Sequence, residues 1–153
     1  MSSLVPLAPL DNEAAAAFWA ASGLTGEYTV ERFGDSAELA DELLALVLSG
    51  RKRATASLVR QFEDEPLPRI GVHWIVCDGA GQPRAVLRTT SLELAPFAAV
   101  TEDFAFAEGE NDRTREGWMA AHRAYFIRVC EGSFNEGTEE VLYERFEVVH
   151  PPA

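Results

Sequence analysis

The chain has 153 residues, a formal net charge of −12, 47% hydrophobic residues and 25% charged residues. This composition is that of a globular protein, and the length suits one domain that buries a core. Nucleic-acid phosphates are bound by clustered Lys and Arg, so the acidity argues against a broad nucleic-acid surface.

The sequence also predicts a cytoplasmic location with no membrane partner. Its apolar stretches are much shorter than the about 18 residues that span a bilayer, and its N terminus lacks the basic region of a secretory signal. Cys77 and Cys130 are the two cysteines. They are too few for a disulfide framework, which agrees with a reducing compartment.

The first predicted elements are a helix and a short strand. The helix covers residues 14–21, because Asp11 can cap its N terminus and Gly23 can end it. Residues 28–33 are rich in aromatic and β-branched side chains, which predicts a strand.

A second helix has the clearest signals in this half of the chain. Asp35 followed by Glu38 has the spacing of a capping box, which marks a helix start. Leucines at helical spacing follow, and Gly50 marks the helix end. Residues 54–59 then alternate in the manner of a strand.

The rest of the chain mixes strands and helices. The further predictions are strands over 72–77 and 84–94, a helix over 102–108, a helix along 118–129 and a strand over 141–149. Helices of irregular length separate these strands, without the regular rhythm of a doubly wound fold. An α+β fold, with a small mixed barrel or sheet and flanking helices, is therefore predicted.

A basic segment at residues 49–57 is the first candidate for chemistry. Gly50 ends a helix and places Lys52 at a helix–strand corner, and Thr55 and Ser57 then project from one strand face. A desolvated lysine loses affinity for its proton and can act as a base toward a hydroxyl. The alternative is a basic loop that complements the negative end of the helix dipole.

An acidic segment at residues 104–112 is the second candidate. Glu108, Glu110 and Asp112 lie where one helix ends and the next begins. They can hold a cation or orient a lysine, and like charges held close would raise a carboxyl pKa. The alternative is a solvated connector in which Asp112 or Thr114 caps the next helix.

Both segments belong to an ordered series of motifs that resembles the ASCH domain family (activating-signal-cointegrator homology). Gly50-x-Lys52-x-x-Thr55 matches the family's G-x-K-x-x-T motif. The further matches are Pro68-x-x-Gly71, Asp78-x-x-Gly81-x-Pro83, Pro96-Phe97-x-x-Val100-Thr101, Phe104-Ala105-x-x-Glu108-Gly109-Glu110, Trp118-x-x-x-His122 and Glu144-Arg145-Phe146. Order and spacing agree over residues 33–149. The resemblance implies a PUA-like mixed β-barrel with flanking helices.

The resemblance also implies a domain organisation. We expect an ASCH domain over residues 28–153, preceded by an N-terminal helical extension over residues 1–27. One position departs from the family pattern: larger bacterial members commonly have Gly where this chain has Asn111. We expect this difference to alter the loop geometry slightly without removing a functional side chain.

A smaller branch of the family hydrolyses N4-acetylcytidine and related amides with a Lys, a Thr and a Glu. The matching positions are Lys52, Thr55 and Glu110. The resemblance implies that Thr55 attacks the amide carbonyl, that neutral Lys52 accepts its proton, and that Glu110 orients the lysine. Spacing leaves open which of Lys52 and Glu110 is the base.

Further side chains are candidates for substrate contact: Arg51, Ser57, Glu108, Trp118 and His122. Trp118 and His122 share a helix face, where core packing is the alternative, whereas a cleft-facing Trp118 would stack on a base. The expected partner is a modified nucleoside or a short RNA. No cofactor motif is visible, and His73 with Cys77 lacks a second ligand pair, so no metal site is predicted.

Two alternative functions are possible for the cleft in which Lys52, Thr55 and Glu110 are expected to meet. One is an RNA-binding module and the other is a ribonuclease, in which Lys52 would stabilise charge on the phosphorus centre. Both would use a local basic edge on an otherwise acidic body. The members of this edge are Arg51, Lys52, Arg53, Arg60 and Arg69.

Overall fold

The computed structural model describes residues 7–152. Within them it has α1 (Asn12–Ser22), β1 (Tyr28–Arg32), α2 (Ala37–Leu48), β2 (Ala54–Leu58), β3 (His73–Cys77), β4 (Pro83–Pro96), α3 (Glu102–Glu108), α4 (Arg115–Val129) and β5 (Glu140–His150). Each predicted element is found, with small shifts at its ends. Residues 1–6 and 153 of the predicted domain ranges lie outside the described residues, and the boundary between residues 27 and 28 stays a prediction.

The strands form one mixed sheet in the order β1-β3-β4-β5-β2. Strands β1 and β3 are parallel, whereas β3–β4 and β2–β5 are antiparallel. The predicted α+β class with a mixed sheet is therefore confirmed. Strand β2 lies at an edge of the sheet, so the backbone groups on its free side need partners other than a strand. Along residues 7–152, no helix has both the length and the apolar character needed to cross a membrane.

The described residues form two compact units, and the first comprises residues 7–50, 71–88 and 147–152. Its core is an apolar cluster of Ala15, Trp19, Ile75, Cys77 and Val86. Burial raises the pKa of the Cys77 thiol to about 11, so this cysteine is an inert part of the core.

The N termini of α1 and α2 in this unit test the predicted helix caps. Asp11 caps α1, since its side chain accepts from the Ala14 amide at 2.9 Å, and Gly23 ends the helix with φ of +77°. Both predictions are confirmed. The capping box at Asp35 is wrong, because Ser36 is the N-cap and its hydroxyl accepts from the Leu39 amide at 3.1 Å. The extended backbone of Ser36 places the hydroxyl at that amide, so the helix starts one residue later.

The second unit comprises residues 51–70 and 89–146. Its core is rich in aromatic side chains, including Phe97, Phe104, Trp118, Phe126 and Tyr143. On β2, Ala54 and Leu58 are buried in this core. In the β2–β5 register Thr55 lies opposite Glu144 and Ser57 lies opposite Leu142. These four residues therefore share the other face of the strand pair, which confirms the predicted strand parity.

Candidate functional site

Lys52 is the centre of the candidate site. Gly50 follows α2 with φ of +84°, a backbone angle that glycine adopts without strain, and the chain turns there toward β2. The predicted helix–strand corner is therefore confirmed. Lys52 lies just before β2, and only 1% of its surface is exposed. A charge this deeply buried needs direct partners.

The Lys52 ammonium has a partner for each of its three hydrogens. Its Nζ donates to Glu108 Oε1, Glu110 Oε2 and the Ala54 carbonyl, each at 2.7 Å. The Phe146 amide donates to the Arg53 carbonyl at 3.1 Å. Because carbonyls alternate in direction along a strand, the Ala54 carbonyl points to the free edge of β2, where Lys52 satisfies it.

Glu108 is the last residue of α3 and connects the ammonium to α4. Its side chain is 1% exposed. Oε2 accepts a hydrogen bond from the Trp118 indole N–H and lies 2.9 Å from His122 Nε2. Trp118 and His122 are four residues apart on α4, and their rings stack with centroids 4.0 Å apart. Both oxygens of Glu108 are therefore engaged inside the fold.

His122 is an imidazolium ion in this arrangement. Its Nδ1 lies 2.9 Å from the Trp118 carbonyl, and its Nε2 faces the Glu108 carboxylate. A carbonyl and a carboxylate can only accept, so both ring nitrogens donate. Burial lowers the pKa of His122, but the charge and hydrogen bond of Glu108 outweigh this effect and hold the pKa above its ordinary value.

A tightly held loop after α3 presents Glu110. Gly109 has φ of +72°, and a Cβ there would lie 2.3 Å from the Arg51 carbonyl, so the position requires glycine. Arg51 Nε donates to the Gly109 carbonyl at 2.6 Å, and its Nη2 donates to the Asn111 carbonyl at 2.9 Å. Arg51 thus holds the loop on both sides of Glu110.

Asn111 is the residue that departs from the family pattern. Its φ is +52°, in the left-handed region that glycine favours and asparagine tolerates. The loop therefore keeps a glycine-type backbone angle at this position, and the Glu110 side chain still reaches Lys52. The predicted retention of a functional side chain agrees with this geometry.

The pKa values of Glu108 and Glu110 are shifted in opposite directions. Burial raises the pKa of each, and the Lys52 charge lowers it. Glu108 also faces the His122 cation and receives its hydrogen bond, so its pKa lies well below the ordinary value. Repulsion from ionised Glu108 adds to the burial of Glu110, and the pKa of Glu110 is raised. Glu110 is 18% exposed, so of these two carboxyls it is the one that can exchange protons with solvent.

A desolvated Lys52 is expected from the sequence to have a lowered pKa, and the structure corrects this expectation. Burial does lower the pKa of Lys52, but the charges of Glu108 and Glu110 and their hydrogen bonds outweigh it, so the pKa is raised. Glu108, one of the three acids expected to hold a cation or orient a lysine, is a counter-charge beside Glu110. Lys52 is an ammonium ion in this arrangement, with no lone pair for a proton.

Three donor groups of the cluster also have the spacing of a cation site. Glu108, Glu110 and His122 each place one donor atom within 4.8 Å of the others. The cation between the carboxylates is the Lys52 ammonium, and an imidazolium offers no lone pair to a metal. The donor set therefore fits a lysine-centred ion cluster, which we call the Lys52 cluster (Lys52, Glu108, Glu110 and His122).

Thr55 and Ser57 lie near the Lys52 cluster but are not part of it. Both are half-buried on one face of β2. Thr55 directly follows Ala54, whose carbonyl accepts from Lys52 Nζ. Among residues 7–152 no hydrogen bond joins the Thr55 hydroxyl to the cluster. The structure thus brings Lys52 and Glu110 into contact, while the catalytic and substrate-binding roles assigned from the sequence stay predictions.

Most of the sequence matches a known protein family. A family model for the ASCH domain matches residues 29–150. The chain belongs to the ASCH domain family. The structure of an ASCH domain from Lactobacillus crispatus JV V101 is similar, with a TM-score of 0.81, 26% identity, and coverage of 92% of this chain and 96% of that chain. The predicted family and PUA-like fold are confirmed.

A second similar structure is a protein from Enterococcus faecalis V583. It has a TM-score of 0.75 and 34% identity, and the match covers 90% of this chain and 91% of that chain. No curated protein matches this ASCH domain in sequence.

We predict that Lys52→Met strongly destabilises this ASCH domain. The change leaves Glu108 buried without its main counter-charge, and breaking a buried ion pair in this way costs about 3–5 kcal/mol. Urea unfolding measures the loss. Lys52→Met combined with Glu108→Gln should recover part of it, and the exposed Arg69→Ala should change stability by less than about 0.5 kcal/mol. A Lys52→Met variant as stable as the wild type would contradict the buried cluster.

We also predict that His122 contributes a pH-dependent part of the stability. Because its pKa is raised in the folded state, its contribution is complete below the ordinary value of about 6.5 and is lost as pH rises through the folded-state pKa. His122→Gln keeps a donor for Glu108 but cannot titrate. The melting temperature of the wild type should therefore fall more steeply above about pH 6.5 than that of the variant. Parallel curves would exclude the imidazolium.

Proposed function

We propose that this ASCH domain is an amidohydrolase that acts on an N-acylated nucleoside such as N4-acetylcytidine. It would cleave a non-peptide C–N bond. The observation that carries the proposal is the contact between Glu110, a partly exposed carboxyl, and the buried Lys52 ammonium at 2.7 Å. Lys52, Thr55 and Glu110 are the three positions that match the amide-hydrolysing branch of the family.

In this proposal Lys52 acts as a fixed positive charge. All three of its hydrogens have partners, so it holds Glu110 in place and its field favours negative charge that develops nearby. This role differs from the neutral lysine base expected from the sequence, because the pKa of Lys52 is raised.

Glu110 takes the proton-transfer role. A carboxyl whose pKa is raised toward the working pH can be protonated in one step and ionised in the next. The raised pKa of Glu110 and its partial exposure suit a group that donates a proton to the leaving amine. Glu108 cannot take this role, because its pKa is lowered and its oxygens are engaged.

Thr55 is the proposed nucleophile. Its oxygen would form a C–O bond to the acyl carbon, and the C–N bond would break as the amine leaves with a proton. Water would then hydrolyse the acyl-threonine ester, release the carboxylic acid and restore the hydroxyl. Two observations support this role: Thr55 is half-buried, and it directly follows Ala54, whose carbonyl accepts from Lys52 Nζ.

The RNA-binding and ribonuclease alternatives have less support. Within the predicted basic edge, at least three of the five cations are engaged within the fold. Lys52 is buried, Arg51 binds two loop carbonyls, and Arg60 pairs with Glu139. Such contacts reduce the charge that is free to bind phosphates.

We predict that Thr55→Ala abolishes turnover of N4-acetylcytidine. Loss of one hydroxyl at a half-buried strand position should cost only about 1 kcal/mol of stability, so the fold should persist. Thr55→Ser keeps an attacking oxygen and should retain measurable activity. Thr29→Ala, a matched change at an exposed strand position, should leave turnover unchanged. The measurement is the rate of product formation, which chromatography monitors.

Two results would count against this proposal. Substantial turnover by Thr55→Ala would make the threonine a positioning residue. Absence of turnover by the wild type on N-acylated nucleosides, together with RNA-oligonucleotide binding that weakens steeply with salt, would favour the RNA-binding alternative, because phosphate contacts release counterions.

A further inference from the structure

A second buried carboxyl lies outside the Lys52 cluster. Glu144 of β5 is only 7% exposed. The hydroxyl of Thr89, itself fully buried, donates to Glu144 Oε2 at 2.5 Å. Among residues 7–152 the hydrogen bond of the Glu144 carboxyl involves Oε2, and Oε1 is not one of the fully buried atoms that lack a partner. Oε1 therefore keeps some contact with solvent and can accept a proton or a hydrogen bond from a further group.

The strand register places this carboxyl opposite Thr55. Glu144 and Thr55 are direct partners across the antiparallel β2–β5 pair. Direct partners have Cβ atoms about 4.5–5.5 Å apart on the same face of the sheet. A glutamate side chain easily spans that separation to a threonine hydroxyl. Leu142, the next β5 residue on this face, lies opposite Ser57 and offers no polar group.

The reaction proposed above lacks a proton acceptor for Thr55. Lys52 has all three hydrogens engaged and no lone pair. We propose that Glu144 accepts the Thr55 hydroxyl proton and that Thr89 positions the Glu144 carboxylate. This inference rests on the proposed function and deepens it. Thr55, Glu144 and Thr89 then stand as nucleophile, base and orienting group.

The step balances in atoms and charge. As Thr55 Oγ forms its bond to the acyl carbon, its proton moves to Glu144 Oε1. The C–N bond then breaks while Glu110 gives its proton to the amine nitrogen. In the second half, a water molecule attacks the ester and gives one proton to ionised Glu110. The proton held by Glu144 returns to Thr55 Oγ as the carboxylic acid leaves.

The surroundings of Glu144 agree with this role. Burial raises the pKa of Glu144, and the Thr89 hydrogen bond lowers it by a smaller amount, so the pKa lies above its ordinary value. A carboxylate with a raised pKa is a stronger base than an exposed one. Thr89 thus keeps the carboxylate oriented and limits the rise of its pKa.

The kinetic test is Glu144→Gln, which keeps the shape and removes the base. With N4-acetylcytidine we expect kcat to fall about 10²–10⁴-fold with little change in KM. Thr89→Val should move the acidic limb of the pH–rate profile to higher pH, because the Glu144 carboxylate loses a donor. Glu140→Gln, an exposed change on the same strand, should leave kcat unchanged. An active Glu144→Gln enzyme would overturn the proposal.

A second readout does not need activity. In an NMR titration of the Glu144 side-chain carboxyl, Thr55→Val should raise the Glu144 pKa, whereas Ser57→Ala should leave it unchanged. An unchanged pKa in Thr55→Val overturns the pairing, whatever the activity. If the pKa rises but the wild type turns over no N-acylated nucleoside, the proposed function and the base role both fail, and only the contact between the two side chains stands.

Discussion

The buried ammonium of Lys52 is the interaction on which the candidate site depends. Removing a charge of this kind from water costs several kcal/mol, and only close opposite charges and complete hydrogen bonding offset the cost. Here the edge of β2, the end of α3 and the loop after it each supply one acceptor at 2.7 Å. The α4 side chains Trp118 and His122 then satisfy the remaining oxygen of Glu108. The lysine therefore organises parts of the chain that are distant in sequence.

The Lys52 cluster moves the pKa values of Glu108 and Glu110 in opposite directions, although the two residues are only two positions apart in the sequence. Glu108 lies between two cations and stays ionised, while Glu110 bears the repulsion from Glu108 and has a raised pKa. Two acids with pKa values moved apart by their environments are a recurrent feature of sites that transfer protons. A rigid loop supports this separation, since Arg51 binds the backbone on both sides of Glu110. Glu108 is thus enclosed within the cluster, and Glu110 is its partly exposed carboxyl.

Local signals in the sequence predicted much of the fold. The bounds of α3 and the cap at Asp11 follow from residue types a few positions apart. The cap of α2 is Ser36 and not Asp35, because the local backbone geometry places the Ser36 hydroxyl at the Leu39 amide. The contact of Lys52 with Glu110 followed from family resemblance. The charge state of Lys52 did not, because it depends on Glu108, 56 residues away. The pairing of Thr55 with Glu144 likewise depends on a strand register that periodicity does not reveal.

The most direct test of this account is an NMR titration of the Lys52 side-chain nitrogen. We predict that Lys52 in the wild type titrates above the ordinary lysine value of about 10.4. Glu110→Gln and Glu108→Gln should each lower the Lys52 pKa, because each removes one of the charges that stabilise the ammonium. A wild-type Lys52 that titrates below the ordinary value, or a pKa that neither substitution moves, would contradict this account.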